Sequence, residues 1–310
     1  PLLTLPQTEA YYVTNGDFVL YDHARSVATS NGYNYTSYNL DAVCFVGGPG
    51  SYGGQAYVGN RGCWLKSATA GVAAHEFGHN FGLWHANYWN ITTDDPIGPG
   101  SNQEYGDSFD TMGSAQAGAN HFDAYEKNLL DWMPAANVTT VTRSGTYRIH
   151  QFDQPVLNAA HKYGIKITKD ADRVYWIDFR QKHTGNKWLM SGADLHWDRW
   201  ASSNQGGQLL DTTPSTPDGK NDAAIVIGRT FSDPSPGIHI TPIGKGGTTP
   251  ESLDVMVNIV TFSGNGAPLC AVNASATSVA TGVAVNFTAS ASDPNGDALS
   301  YSFVVAADCE

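Results

Sequence analysis

Positive charge is scarce in this 310-residue chain: 17 Lys and Arg stand against 29 Asp and Glu, for a net charge of −12. No basic stripe is present to neutralise phosphates, which excludes nucleic acid as a partner. Long apolar runs are missing too, and nothing approaches the roughly 20 residues of a membrane-spanning helix. No signal peptide opens the chain, which begins at Pro1 and reads as a mature or trimmed form. Cysteine is limited to four residues, with no zinc-ribbon or C-x-x-C spacing, so no cysteine-built metal or redox centre is expected. The four fall into two local pairs. Cys44 and Cys63 flank a Gly-rich hairpin, and Cys270 and Cys309 bracket the C-terminal segment. Structural disulfides in an oxidising compartment are the expectation, with free buried thiols as the alternative. What remains is 41% hydrophobic and 15% charged, with abundant Gly, Asn, Ser, Thr and Tyr, a mix common in secreted β-rich proteins.

One stretch concentrates chemistry. His75-Glu76-Phe77-Gly78-His79-Asn80-Phe81-Gly82-Leu83-Trp84-His85 places two histidines four apart, so on a helix both imidazoles share one face and reach the same ion. Gly82 permits a positive φ that ends the helix and brings His85 round as a third nitrogen ligand. Three nitrogens leave one tetrahedral position open, the mark of a catalytic rather than a structural zinc. Glu76 lies beside the ligands as the natural base for a water activated by that ion. The bland alternative is an amphipathic helix with Phe77, Phe81, Leu83 and Trp84 in the core and histidines at the surface.

This H-E-x-x-H-x-x-G-x-x-H pattern resembles the signature of metzincin metalloproteases. Downstream runs Glu104-Tyr105-Gly106-Asp107-Ser108-Phe109-Asp110-Thr111-Met112-Gly113, followed by His121-Phe122-Asp123-Ala124-Tyr125-Glu126-Lys127 and Asp131-Trp132. Together these stretches are similar to gametolysin-like metalloproteases and to their bacterial immune inhibitor A-type relatives. His85 favours the former, since the latter lack His at the third position. The resemblance is specific over roughly residues 40–135 and looser to about 262. It implies a secreted zinc endopeptidase with His75, His79 and His85 as ligands and Glu76 as general base. It also implies a tight turn whose Met112 thioether floors the ligands. By the same resemblance an upper edge strand, to which substrate would pair, is expected within 52–66; an ordinary hairpin is the alternative.

One departure stands out. Several metzincin families carry Tyr two residues after the turn methionine, where this chain has Ser114, too short to reach a metal. His121 and Tyr125 are then candidates for stabilising an oxyanion, or they pack or cap the helix expected over 121–132. Asp94, Asp95, Glu104, Asp107 and Asp110 crowd the loop before Met112 and suggest a calcium site or a brace for the turn, Asp110 foremost; solvated loop carboxylates are the alternative.

The expected fold class is α+β. A metzincin-type catalytic domain, a mixed sheet plus active-site helix, spans 1–134 and includes a helix over Asp17–Ser30. Residues 135–264 alternate in short segments such as Thr146–His150, Val174–Phe179 and Leu253–Ile259, which predicts an antiparallel β-sandwich. Its Trp176, Trp188, Trp197 and Trp200 form either a glycan-binding face or core. Residues 265–310 look like the first part of a PKD or cadherin-like Ig module. There Asp293, Asn295 and Asp297 alternate as calcium ligands do, or as an ordinary polar turn does. The function expected is a zinc-dependent endopeptidase acting on protein or glycoprotein substrates, with Zn2+ as cofactor and Ca2+ as a second ion the acidic composition permits. The rivals are a protease restricted to glycosylated proteins and a secreted adhesin or glycan-binding protein with a non-catalytic zinc site.

Overall fold

The computed structural model describes residues 2–114, 121–199, 206–247, 250–260, 269–276, 278–292 and 299. Helix α1 (Glu9–Asn15) is followed, across the positive-φ Gly16, by α2 (Asp17–Ser30). Three short strands, β1 (Ala42–Cys44), β2 (Gly54–Ala56) and β3 (Cys63–Leu65), form a sheet in the order β1-β3-β2, with β3 parallel to β1 and antiparallel to β2. Tyr12, Leu20, Tyr21 and Trp64 bury the helices against it, and the Trp64 indole donates to the Asp17 carbonyl at 2.8 Å. Helix α3 (Ala70–Asn80) starts where the Thr69 hydroxyl caps the Val72 amide. It carries the histidine motif beneath β2 and β3.

The chain then leaves for the sandwich sooner than expected. The stretch after His85, read as loop, contains β4 (Asn87–Ile91) and β5 (Gly100–Gln103). The rest comprises α4 (Ala124–Leu129), β6 (Val138–Val141), β7 (Gly145–His150), β8 (Gly164–Thr168), β9 (Arg173–Asp178), α5 (Lys187–Met190), β10 (Gly192–Arg199), β11 (Gln208–Leu209), β12 (Ile225–Val226), β13 (Phe231–Asp233), β14 (Ile238–Gly246) and β15 (Ser252–Ile259). One sheet runs β5-β4-β11-β10-β9-β8-β6, with β12 also paired to β10; the other runs β13-β14-β15-β7. Ile165, Ile177, Leu195 and Trp197 of the first meet Ile149, Ile240, Val255 and Val257 of the second in one core. The larger sheet is mixed, because β6–β8 and β4–β11 pair in parallel. It also straddles the division expected at residue 134. A final hairpin pairs β16 (Leu269–Ala274) with β17 (Phe287–Ser292). Among the described residues the fold is α+β, mostly sheet, with no closed barrel, and no helix is long and apolar enough to cross a membrane.

One expectation changes here, the disulfides, and one alternative is decided. Cys44 and Cys63 are unbonded. The parallel register sets Cys63 opposite Ala42 and Cys44 opposite Leu65, a two-residue offset that separates the Cα atoms by about 8 Å, too far for a disulfide. Cys63 is also fully buried while Cys44 is exposed, and burial pushes the Cys63 thiol up to about 12. Cys270 is an exposed thiol, and Cys309 lies outside the described residues, as do Asp293, Asn295 and Asp297. Trp176 and Trp197 are buried in the sandwich, so they form no sugar-binding face; Trp200 is outside the described residues.

Candidate metal centre

Helix α3 ends in a Schellman motif. The Gly82 amide donates to the His79 carbonyl at 2.8 Å and the Leu83 amide to the Gly78 carbonyl at 3.0 Å, while Gly82 takes a φ of +105°. That reversal puts the Leu83 carbonyl within 2.8 Å of His79 Nδ1 and turns His85 back toward the helix. The side-chain amide of Asn80 donates to the carbonyls of Tyr57, Asn60 and Gly62, fastening the helix end to the loop between β2 and β3.

Each histidine is held by its outer nitrogen. His75 Nδ1 lies 2.9 Å from the Thr111 carbonyl, His79 Nδ1 is bonded to Leu83, and His85 Nδ1 lies 2.7 Å from Glu104 Oε1. A carbonyl or carboxylate only accepts, so Nδ1 donates in all three, and a neutral ring held this way presents Nε2 as a lone pair. One ligand nitrogen from each ring lies within 4.8 Å of the others, and His79 Nε2 is 3.1 Å from His85 Nε2. Two lone pairs that close repel unless a cation lies between them. The spacing suits zinc, whose tetrahedral nitrogens at 2.0–2.1 Å sit about 3.3 Å apart. Desolvation, with the neighbouring imidazoles, lowers the pKa of His75 to about 4, and His79 is lowered by the same causes, which keeps both rings neutral for a metal.

Glu76 is 5% exposed, and burial pushes its carboxyl up to about 7. Its carboxylate fills the space above Gly54 of β2: a Cβ built there would meet Oε1 at 2.5 Å. In its three-stranded sheet β2 is an edge strand, so unpaired backbone groups run past the acid. Met112 is fully buried beneath Gly78 and packs with Leu83 and Ala86.

The proposed oxyanion partners are used elsewhere. His121 Nδ1 is 2.8 Å from Lys127 Nζ, and its ring packs edge-on to Phe152; burial and then the Lys127 charge lower it to about 4. The Tyr125 hydroxyl bonds to Asp198 and its ring packs against Trp176. Both therefore serve the packing of α4 on the sandwich, the alternative reading. Ser114 donates to the Asp107 carbonyl at 3.1 Å. The residue that does face the histidines is Tyr105, whose ring centroid lies 3.8 Å from that of His85 and 5.8 Å from that of His75. Its φ of +57° is unusual for a non-glycine residue, and the Asn87 side chain holds its amide at 3.1 Å. Burial raises its phenol, and the charges of Glu104 and Glu76 add to the rise.

The five loop carboxylates do not form one cluster. Asp94 accepts from Ser215, Asp95 caps its own turn at Ile97, Glu104 holds His85, and Asp107 bonds His196 at 2.8 Å. Asp110 accepts from the Met112 amide at 2.6 Å and the Asp123 amide at 2.5 Å. Beside Ala74 and Thr111 lies a cavity of about 720 Å³, walled by Phe122, Trp132 and Pro134. No family model, curated protein or solved structure matches the chain.

Proposed function

We propose that the chain is a zinc-dependent endopeptidase of metzincin type. The observation that carries this reading is the convergence of three outer-anchored imidazoles beside a buried acid and an edge strand. The residues fit zinc by donor type, number and spacing. When bound, zinc supplies Lewis acidity to a substrate carbonyl and acidifies a water. The chain's own groups do the rest. With zinc held by His75, His79 and His85, Glu76 would take the proton of the water that attacks the scissile carbonyl and would return it to the amine as the C–N bond breaks. The β2 edge offers backbone donors and acceptors to an extended substrate, which lays its scissile bond across Glu76. Glu104 and Tyr105 fix the His85 ring, the ligand farthest from the rigid helix.

The test is cleavage of a peptide library by zinc-loaded protein, with cut sites mapped by mass spectrometry and chelator as control. Glu76→Gln should lower kcat by about 10²–10⁴-fold while the zinc content stays at one equivalent. Full activity in that variant, or an uncleaved library with zinc bound, would sink the reading.

A further inference from the structure

Behind the Met112 turn, Asp110, Asp123 and Glu126 bring one carboxylate oxygen each within 4.8 Å of one another, all three side chains being at most 2% exposed. Both oxygens of Glu126 and Oδ2 of Asp123 have no hydrogen-bond partner among the described residues. Glu126 lies against Asp110, yet two carboxylates only accept, so nothing joins them unless a proton or a cation comes between. The surroundings make the imbalance larger. Asp107, Asp178 and Asp194 are buried in the same region, where the cationic groups are Arg180, His196 and Lys127. Arg180 reaches Asp178 and Asp194 at 3.7 Å each, and His196 is taken by Asp107. The buried carboxylates thus outnumber the cations, and Asp110, Asp123 and Glu126 have no ion-pair partner among the described residues. Buried charge of that kind is costly unless a counter-ion neutralises it.

We propose that Asp110, Asp123 and Glu126 hold a hard divalent cation, calcium by donor type, as a second metal site distinct from the three histidines. Oxygens bound to one calcium ion at about 2.4 Å stand at most about 4.8 Å apart, and the three donors all lie within that distance of one another. The site links separate parts of the chain. Asp110 holds the Met112 amide, Asp123 caps α4 through the Glu126 amide at 2.7 Å, and Asp178 of β9 accepts from the Ala124 amide at 3.1 Å. An ion there ties the floor of the histidine site to α4 and the sandwich. None of this depends on peptide hydrolysis.

The test uses the full chain carrying Asp293→Asn and Asp297→Asn, so that those two C-terminal carboxylates contribute no calcium. Elemental analysis after gel filtration in calcium should find one equivalent, and Tm should rise by about 5 °C or more between chelated and calcium-saturated protein. Adding Glu126→Gln should remove that equivalent and the calcium-dependent rise, with zinc content unchanged. A protein without bound calcium, and without a Tm response to calcium, magnesium or manganese, would overturn the proposal. A Tm indifferent to calcium but falling steadily as pH rises would also overturn it, since shared protons would then hold the carboxyls together.

Discussion

Met112 Sδ occupies the space a side chain at Gly78 would need: a Cβ there would come within 2.4 Å of the sulfur. Alanine normally stabilises a helix interior relative to glycine by about 1 kcal/mol. Here the sign reverses. Gly78→Ala should destabilise the fold by about 1–3 kcal/mol, because the fully buried sulfur must shift to admit the methyl. Chemical denaturation of the zinc-loaded protein measures it, and a Gly78→Ala variant as stable as the parent would contradict the floor assigned to Met112.

Gly54 makes a parallel demand on Glu76. Gly54→Ala drives a methyl into the carboxylate and moves the proposed base, so kcat should fall by up to about 10²-fold with KM little changed. Steady-state kinetics on a mapped cleavage peptide would show the split. A change confined to KM would mean that β2 binds substrate without positioning Glu76.

Glu104 is exposed, but its hydrogen bond sets the tautomer and angle of His85. Glu104→Ala should weaken zinc by about 10–100-fold without unfolding the chain. Competition against a chromogenic chelator reads this directly, and an unchanged affinity would leave Tyr105 as the sole support of that ring.

Asp198 offers a pH test away from the three histidines, to be read in chelated protein because Asp123 is its neighbour. Desolvation, with Asp123 adding to it and the Tyr125 hydrogen bond opposing, raises its carboxyl to about 6. A raised folded-state pKa favours the native protein while the group is protonated. That contribution is complete below about pH 4 and is lost as pH rises through about 6. Asp198→Asn keeps an acceptor for Tyr125 and abolishes the titration. The variant should gain about 1–2 kcal/mol over the parent at pH 7.5 and nothing at pH 4. Denaturation curves at the two pH values decide it.

The part of the site legible in the sequence is the part built locally. His75, Glu76, His79 and His85 lie within one helix and its terminal turn, so periodicity and a single glycine suffice to bring them together. The partners that anchor those rings come from far along the chain. Glu104 and Tyr105 reach His85 through the β4–β5 hairpin, and Thr111 reaches His75 through the Met112 turn. No local pattern marks such contacts. The strands β4 and β5 escaped notice for a related reason: Gly, Pro and Asp crowd the segment, and the second partner of β4, β11, docks beside it in parallel from far along the chain. Helix α2 matched its expected span, whereas the helix expected over 121–132 contracts to Ala124–Leu129, starting at the Asp123 cap.

The pairing of β4 with β11 also affects when the metal can be taken up. Asn87, two residues beyond His85, donates its amide to the Gly207 carbonyl, and Gly206 fits against the His85 carbonyl with no space for a Cβ. The third ligand is therefore positioned by residues more than a hundred places further along the chain. During synthesis the first two histidines can form their helix early, but the full ligand set waits for the sheet. In the proposed zinc enzyme, capture of the metal would be a late step of folding, and its release would accompany the parting of β4 from β11 rather than the fraying of a helix.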